Sequence, residues 1–125
     1  VRALLDTSVL IADDPLHGVE GAISAVSLAE LHFGLLVARD DDQRALRAQR
    51  LGVVEATFDP IPLDAAVARE WGRLSSAVVA RGGQPRRRAA DLAIAATANV
   101  QRVPLLTRDL RDFAVIADLV EVRVR

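Results

Sequence analysis

Apolar positions along this chain alternate between short runs and stretches of helical period. Ala3-Leu4-Leu5 is a short apolar run closed by Asp6, the pattern of a buried strand with a carboxylate at its C-terminal end. Residues 7–12 predict a short helix, stopped near Pro15. A second short strand is expected over 22–25, after which Ser27 is placed to cap a helix over 28–38. Residues 41–56 predict another helix, with Asp41 and Asp42 at its start and Arg44, Arg47 and Arg50 spaced along one side. Pro60 and Pro62 make 58–63 an irregular connector or a short edge strand. Asp64 is a good N-cap for a helix over 65–80, and Gly82-Gly83-Gln84-Pro85 is a clear break. An alanine-rich helix follows over 89–100. An apolar strand over 103–107 ends in Thr107-Arg108-Asp109, and 120–124 alternates as a final strand.

Strands alternating with helices predict an α/β fold, a parallel sheet covered on both faces, built as a single domain over 1–125. Ligands of such sheets sit beyond the carboxyl ends of the strands. Asp6 and Asp109 both fall just past predicted strand ends, so that edge is where a functional site is expected.

Asp91 is the most informative acid. It lies in Ala89-Ala90-Asp91-Leu92-Ala93-Ile94-Ala95-Ala96, and a helix that is apolar nearly all round is a buried one. A carboxylate there loses hydration and needs a cation or donors to stay charged. Each acid also has an ordinary reading. Asp91 in a first turn complements the helix dipole. Ser27-Leu28-Ala29-Glu30 matches a capping box, in which Glu30 reaches back to the cap amide. Asp6 and Asp109 are each placed to cap a following turn. The functional reading rests on all four reaching one edge of one sheet. Converging carboxylates raise one another's pKa and call for a cation. An all-oxygen ligand set selects a hard ion, Mg²⁺ or alternatively Mn²⁺. Such an ion suits phosphodiester hydrolysis.

Composition narrows the chemistry. There is no cysteine, hence no disulfide, no thiolate zinc site and no cysteine nucleophile. All 16 basic side chains are arginine, so no lysine-dependent reaction is available. That removes receiver-like phosphoacceptors and dehalogenase-type phosphatases. Removing four site carboxylates from a net charge of −1 leaves the remainder at +3, which is compatible with an RNA substrate. Arg86-Arg87-Arg88 is the main basic cluster, either a solvated charge run or a phosphate contact beside the acids. Aromatics are limited to Phe33, Phe58, Phe113 and Trp71, so base stacking is not expected to dominate recognition. Neither His17 nor His32 is needed for the chemistry. No leader-like or membrane-spanning segment is visible, and a cytoplasmic location is expected.

Four segments together resemble the PIN domain, and within it the VapC-type toxins of toxin–antitoxin pairs. They are Leu4-Leu5-Asp6-Thr7-Ser8, Ser27-Leu28-Ala29-Glu30-Leu31, Asp91-Leu92-Ala93-Ile94-Ala95-Ala96-Thr97-Ala98, and Leu106-Thr107-Arg108-Asp109-Leu110-Arg111-Asp112-Phe113. The resemblance covers essentially the whole chain. It implies a three-layer α/β/α fold and a Mg²⁺-dependent endoribonuclease leaving 5′-phosphate and 3′-hydroxyl ends. It makes Asp6, Glu30, Asp91 and Asp109 the acidic quartet of the metal site, with Asp6, Asp91 and Asp109 on the ion, directly or through water, and Glu30 positioning the attacking water or a second ion. Thr7 and Thr107 become supporting hydroxyls, and Asp112 a further acid near the site. It also implies an RNA substrate, a VapB-like antitoxin inserted near the acids, and a homodimer. A non-catalytic PIN fold acting through its partner is the alternative.

Overall fold

The computed structural model describes residues 1–12 and 15–125. Four strands, β1 (Arg2–Leu5), β2 (Glu20–Ala22), β3 (Leu105–Thr107) and β4 (Val122–Val124), form one sheet in the order β2-β1-β3-β4. Every pairing is parallel, so each connection must cross over. Helices α1 (Thr7–Ala12), α2 (Ala25–Leu36), α3 (Asp41–Thr57), α4 (Ala65–Ala80) and α5 (Ala89–Gln101) supply the crossovers up to β3, and a 3-10 helix, Leu110–Ile116, supplies the last one, from β3 to β4. This is the expected α/β architecture, a central parallel sheet flanked by helices.

The period-2 alternation of the strands divides the interior in two. Leu4 pairs in register with Leu105, and Leu105 with Val122. That row packs against Val67, Leu74 and Val78 of α4, the buried side of α5, Phe113 and Ile116. Ala3, Leu5 and Leu106 face the other way, onto Val9 of α1, Ile23 and Val54 of α3. Residues 92–98 of α5 are all buried. Their small alanines let the helix sit close to the sheet, as its lack of a polar face predicts. Asp91 precedes this run in the first helical turn, so burial of the alanines fixes where its carboxylate emerges.

Several boundaries differ from expectation. β2 ends at Ala22 instead of 25, and β3 and β4 are each shorter by two residues at the start. The cap of α2 is Ser24, not Ser27. Ser24 Oγ accepts from Val26 N at 3.0 Å. The reason is tertiary. Ile61 N donates to Ile23 O, and Ala25 N donates to Ile61 O, so the 58–63 connector clasps the chain on either side of Ser24 and starts the helix there. Ser27 is buried inside the helix, and the capping box with Glu30 does not form. Asp64 caps α4 as expected, accepting from Val67 N at 3.0 Å.

Replacing Ser24 by Ala should therefore cost about 1–2 kcal/mol of unfolding free energy. Urea titration of the variant measures this directly, and a midpoint equal to wild type would remove Ser24 as the cap.

Candidate active site

β1 delivers Asp6 to the carboxyl edge of the sheet, where Asp6 N still donates to Leu106 O at 2.8 Å. Asp6 is buried, and its charge is held by hydroxyls. Ser8 and Thr107 donate to Oδ2 at 2.7 and 2.9 Å. Arg108 N donates to Ser8 Oγ at 3.1 Å, aligning the Ser8 hydroxyl for its own donation. Glu30, six residues into α2 and exposed, accepts from Thr7 Oγ1 at 2.7 Å. Thr7 Oγ1 also lies 2.9 Å from Ser27 Oγ. The supporting roles expected of Thr7 and Thr107 thus have a geometric counterpart.

Asp91 sits among these acids with the least local support. Burial first, then the like charges of Asp6, Asp112 and Glu30, push its carboxyl up to about 6, while Arg88 pulls the other way. Arg88 belongs to a 3-10 turn, Pro85–Arg88. It donates through Nη1 to Asp112 O at 2.8 Å, which ties this turn to the 3-10 helix Leu110–Ile116. An open hollow of 470 Å³ lies there, lined by Gly82, Gly83, Gln84, Arg87, Arg88, Asp91 and Asp112. Of the three arginines expected to meet RNA, Arg87 and Arg88 line this hollow and Arg86 does not.

Asp109 is placed differently from expectation. It caps the 3-10 helix, accepting from Arg111 N at 3.0 Å, and its carboxylate takes Arg111 Nε and Nη2 at 2.9 and 2.8 Å. Those bonds hold its carboxyl below the usual aspartate range. It is not among the charges that raise Asp91. The acids brought to Asp91 are Asp6, Glu30 and Asp112. Among the described residues, no three acidic or histidine side chains are close enough to hold one ion directly. The donor set still fits a magnesium-like ion, which keeps several waters and takes only one or two protein carboxylates. Asp6 and Asp91 are the pair best suited, because Asp6 is fixed by hydroxyls and Asp91 is repelled by its neighbours.

Ser8 was missed by sequence reasoning, although its place two residues after a strand-end Asp is a side chain-to-backbone turn signal. The Arg88 tie to Asp112 has no sequence signal. His32 pairs with Glu55 at 2.8 Å on the surface, and Trp71 packs half-buried against the α4–α5 core.

A PIN domain family model matches residues 3–119, and the chain belongs to the PIN domain family, among its VapC members. Ribonuclease VapC5 of Mycobacterium tuberculosis is 38% identical over 97% of this chain and 92% of its own length. Ribonuclease VapC4 of the same organism is 34% identical over 94% and 93%. The solved structure of VapBC-5 from Mycobacterium tuberculosis superposes with a TM-score of 0.83, at 35% identity over 98% of this chain and 96% of that one. FitAcB from Neisseria gonorrhoeae gives 0.74, at 26% identity over 98% and 96%.

The raised Asp91 carboxyl has a consequence for stability. The folded chain holds this proton up to about pH 6, whereas an ordinary aspartate releases it near 3.8. Between those values the folded state binds the extra proton, so this group's contribution to stability falls as pH rises from about 4 to 6 and is flat above. The metal-free Asp91→Asn variant should lack this step and exceed wild type at pH 8 by on the order of 2 kcal/mol. Urea unfolding of both proteins from pH 4 to 8 checks it. A wild-type-minus-variant difference independent of pH would show that Asp91 carries no such strain.

Proposed function

We propose that this chain is a divalent-metal-dependent endoribonuclease and the toxin of a VapBC-type pair. The observation that carries the reading is Asp91: a carboxylate at the carboxyl edge of a parallel sheet, pushed up first by its partial burial and then by Asp6, Asp112 and Glu30. Crowded negative charge of this kind attracts a dication, which would displace the proton that Asp91 otherwise retains to a higher pH than an ordinary aspartate. The ribonuclease names of its relatives support RNA as the substrate. The VapBC complex among its structural neighbours supports an antitoxin partner.

In this reading Asp6 and Asp91 would hold the ion, with Glu30 and Asp112 adding negative charge beside it. Asp109 joins only when it leaves Arg111. The ion supplies a water of lowered pKa and offsets charge on the phosphorus. Thr7 holds Glu30 through one oxygen, leaving the other to take a proton from the attacking water. Arg87, exposed on the wall of the hollow, contacts the backbone phosphate. Arg88 is committed to Asp112 O and holds that wall in place. Water adds to phosphorus as the P–O3′ bond breaks; Glu30 takes the water's proton and later releases it to solvent, and the leaving 3′ oxygen takes a proton from solvent. The products are a 5′-phosphate and a 3′-hydroxyl. Exposed Phe33, Leu36 and Val37 at the end of α2 give an apolar surface for association, whether with an antitoxin or in a homodimer. Among the described residues no helix is long and apolar enough to cross a membrane.

Mapping new 5′-phosphate RNA ends after brief induction tests the proposal, with Asp91→Asn as the comparison. Discrete ends are expected with wild type alone. Identical maps from both proteins, with the wild type folded and free of antitoxin, would favour a non-catalytic PIN fold that acts through its partner.

A further inference from the structure

The three arginines spaced along α3 have different surroundings. Arg44 donates to Asp41 at 3.2 Å and to Ala38 O at 3.4 Å. Arg47 donates to Gly34 O. Both therefore clamp α3 against the end of α2, where backbone carbonyls carry the negative end of the helix dipole. Arg50, one turn further on, has a buried Nε with no acceptor. It enters no ion pair among the described residues. Buried donors are nearly always satisfied, so an orphan on a cation points to an acceptor supplied from outside.

Arg50 also sits where two hollows meet. One, of 240 Å³, is lined by Ile11, Glu30, Leu31, Gly34, Arg47 and Arg50. The other, of 150 Å³, runs past Leu10, Leu46, Arg50, Val53 and Val54. Ile11, Leu46 and Val53 are large exposed hydrophobics. A matching occupant has apolar side chains on both sides and an anion between them. A nucleic-acid strand fits poorly, because its evenly spaced phosphates have no row of free cations to follow here among the described residues, and its charged backbone would lie against the exposed side chains of Ile11, Leu46 and Val53. A peptide segment with one acidic side chain between apolar residues fits both charge and shape.

We propose that Arg50 receives a carboxylate side chain of the antitoxin, flanked by apolar residues that fill the two hollows. The proposal rests on the VapBC reading above and adds the residue that sets the register of the partner. Arg50 is then a specificity residue whose own fold gains nothing from its guanidinium.

The test uses the antitoxin that co-purifies with the chain from its native host, identified by mass spectrometry. Wild type and Arg50→Met are compared for antitoxin affinity and for thermal stability without antitoxin. Methionine keeps the aliphatic stem and removes the orphan donor. Affinity should fall about 10–100-fold, while the melting temperature of the free chain stays the same or rises. One antitoxin Asp or Glu should lose a similar factor when changed to its amide, with no further loss in the Arg50→Met background. Equal affinity for both proteins would overturn the Arg50 proposal and leave the VapBC reading standing. Failure of any antitoxin to co-purify would remove both. Loss of RNA retention alone would make the occupant a phosphate, and a shift from dimer to monomer would make it a second copy. Either result overturns the proposal. A lowered melting temperature with unchanged antitoxin coupling would mark Arg50 as structural and overturn it as well.

Discussion

Like-charge crowding at the carboxyl edge of the sheet is the constraint on which the rest of this structure depends. Asp6, Asp112 and Glu30 act there on the partly buried Asp91, and each of those three is held from a different element. Asp6 has two hydroxyls, from α1 and β3. Glu30 has the Thr7 hydroxyl across the α1–α2 contact. Asp112 is held through its backbone by Arg88. Among the described residues Asp91 shows no neutral donor of this kind, and burial together with the neighbouring charges raises its pKa. A fold that relieved the crowding internally would have no affinity left for a cation. Here the repulsion bears on one carboxylate, and in the proposed function an incoming dication would remove it.

The fold makes that concentration possible. All-parallel pairing brings every strand end, and the helix starts that follow, to the same edge. Residues 92–98 of α5 are buried without exception, which fixes the first turn and with it Asp91. The opposite arrangement is seen at Asp109. Its carboxylate is engaged with Arg111 at the N-cap of the same 3-10 helix whose first turn carries Asp112. Two acids three residues apart therefore have different electrostatic roles: Asp109 is neutralised by Arg111, whereas Asp112 acts on Asp91.

Much of this could be read from the residues, and the failures have physical causes. Ala3-Leu4-Leu5-Asp6 and the apolar run after Asp91 announced the buried strand, the buried helix and the edge they share. Those signals are local periodicity, which tertiary contacts rarely overturn. Ser27 looked like the cap because Glu30 follows at capping-box spacing. The cap is Ser24 because Ile61 clasps the chain there, and that contact spans some forty residues of sequence. Arg86-Arg87-Arg88 read as one cluster. In the fold Arg88 turns to the Asp112 carbonyl, Arg87 lines the hollow and Arg86 lies outside its wall. Spacing alone does not separate adjacent residues on a 3-10 turn. Ser8 was visible in sequence but had no reason to be chosen until the Thr107 hydroxyl appeared beside it.

The central claim is that this edge is electrostatically incomplete without a cation, and thermal unfolding of wild type and Asp91→Asn at pH 7.5, with and without millimolar Mg²⁺, tests it most directly. Wild type should gain several degrees from Mg²⁺, roughly 1–2 kcal/mol by linkage, while Asp91→Asn starts higher and gains almost nothing. Equal shifts in the two proteins, or no shift in wild type up to about 10 mM Mg²⁺ (an excess over any site worth 1–2 kcal/mol), would contradict the account.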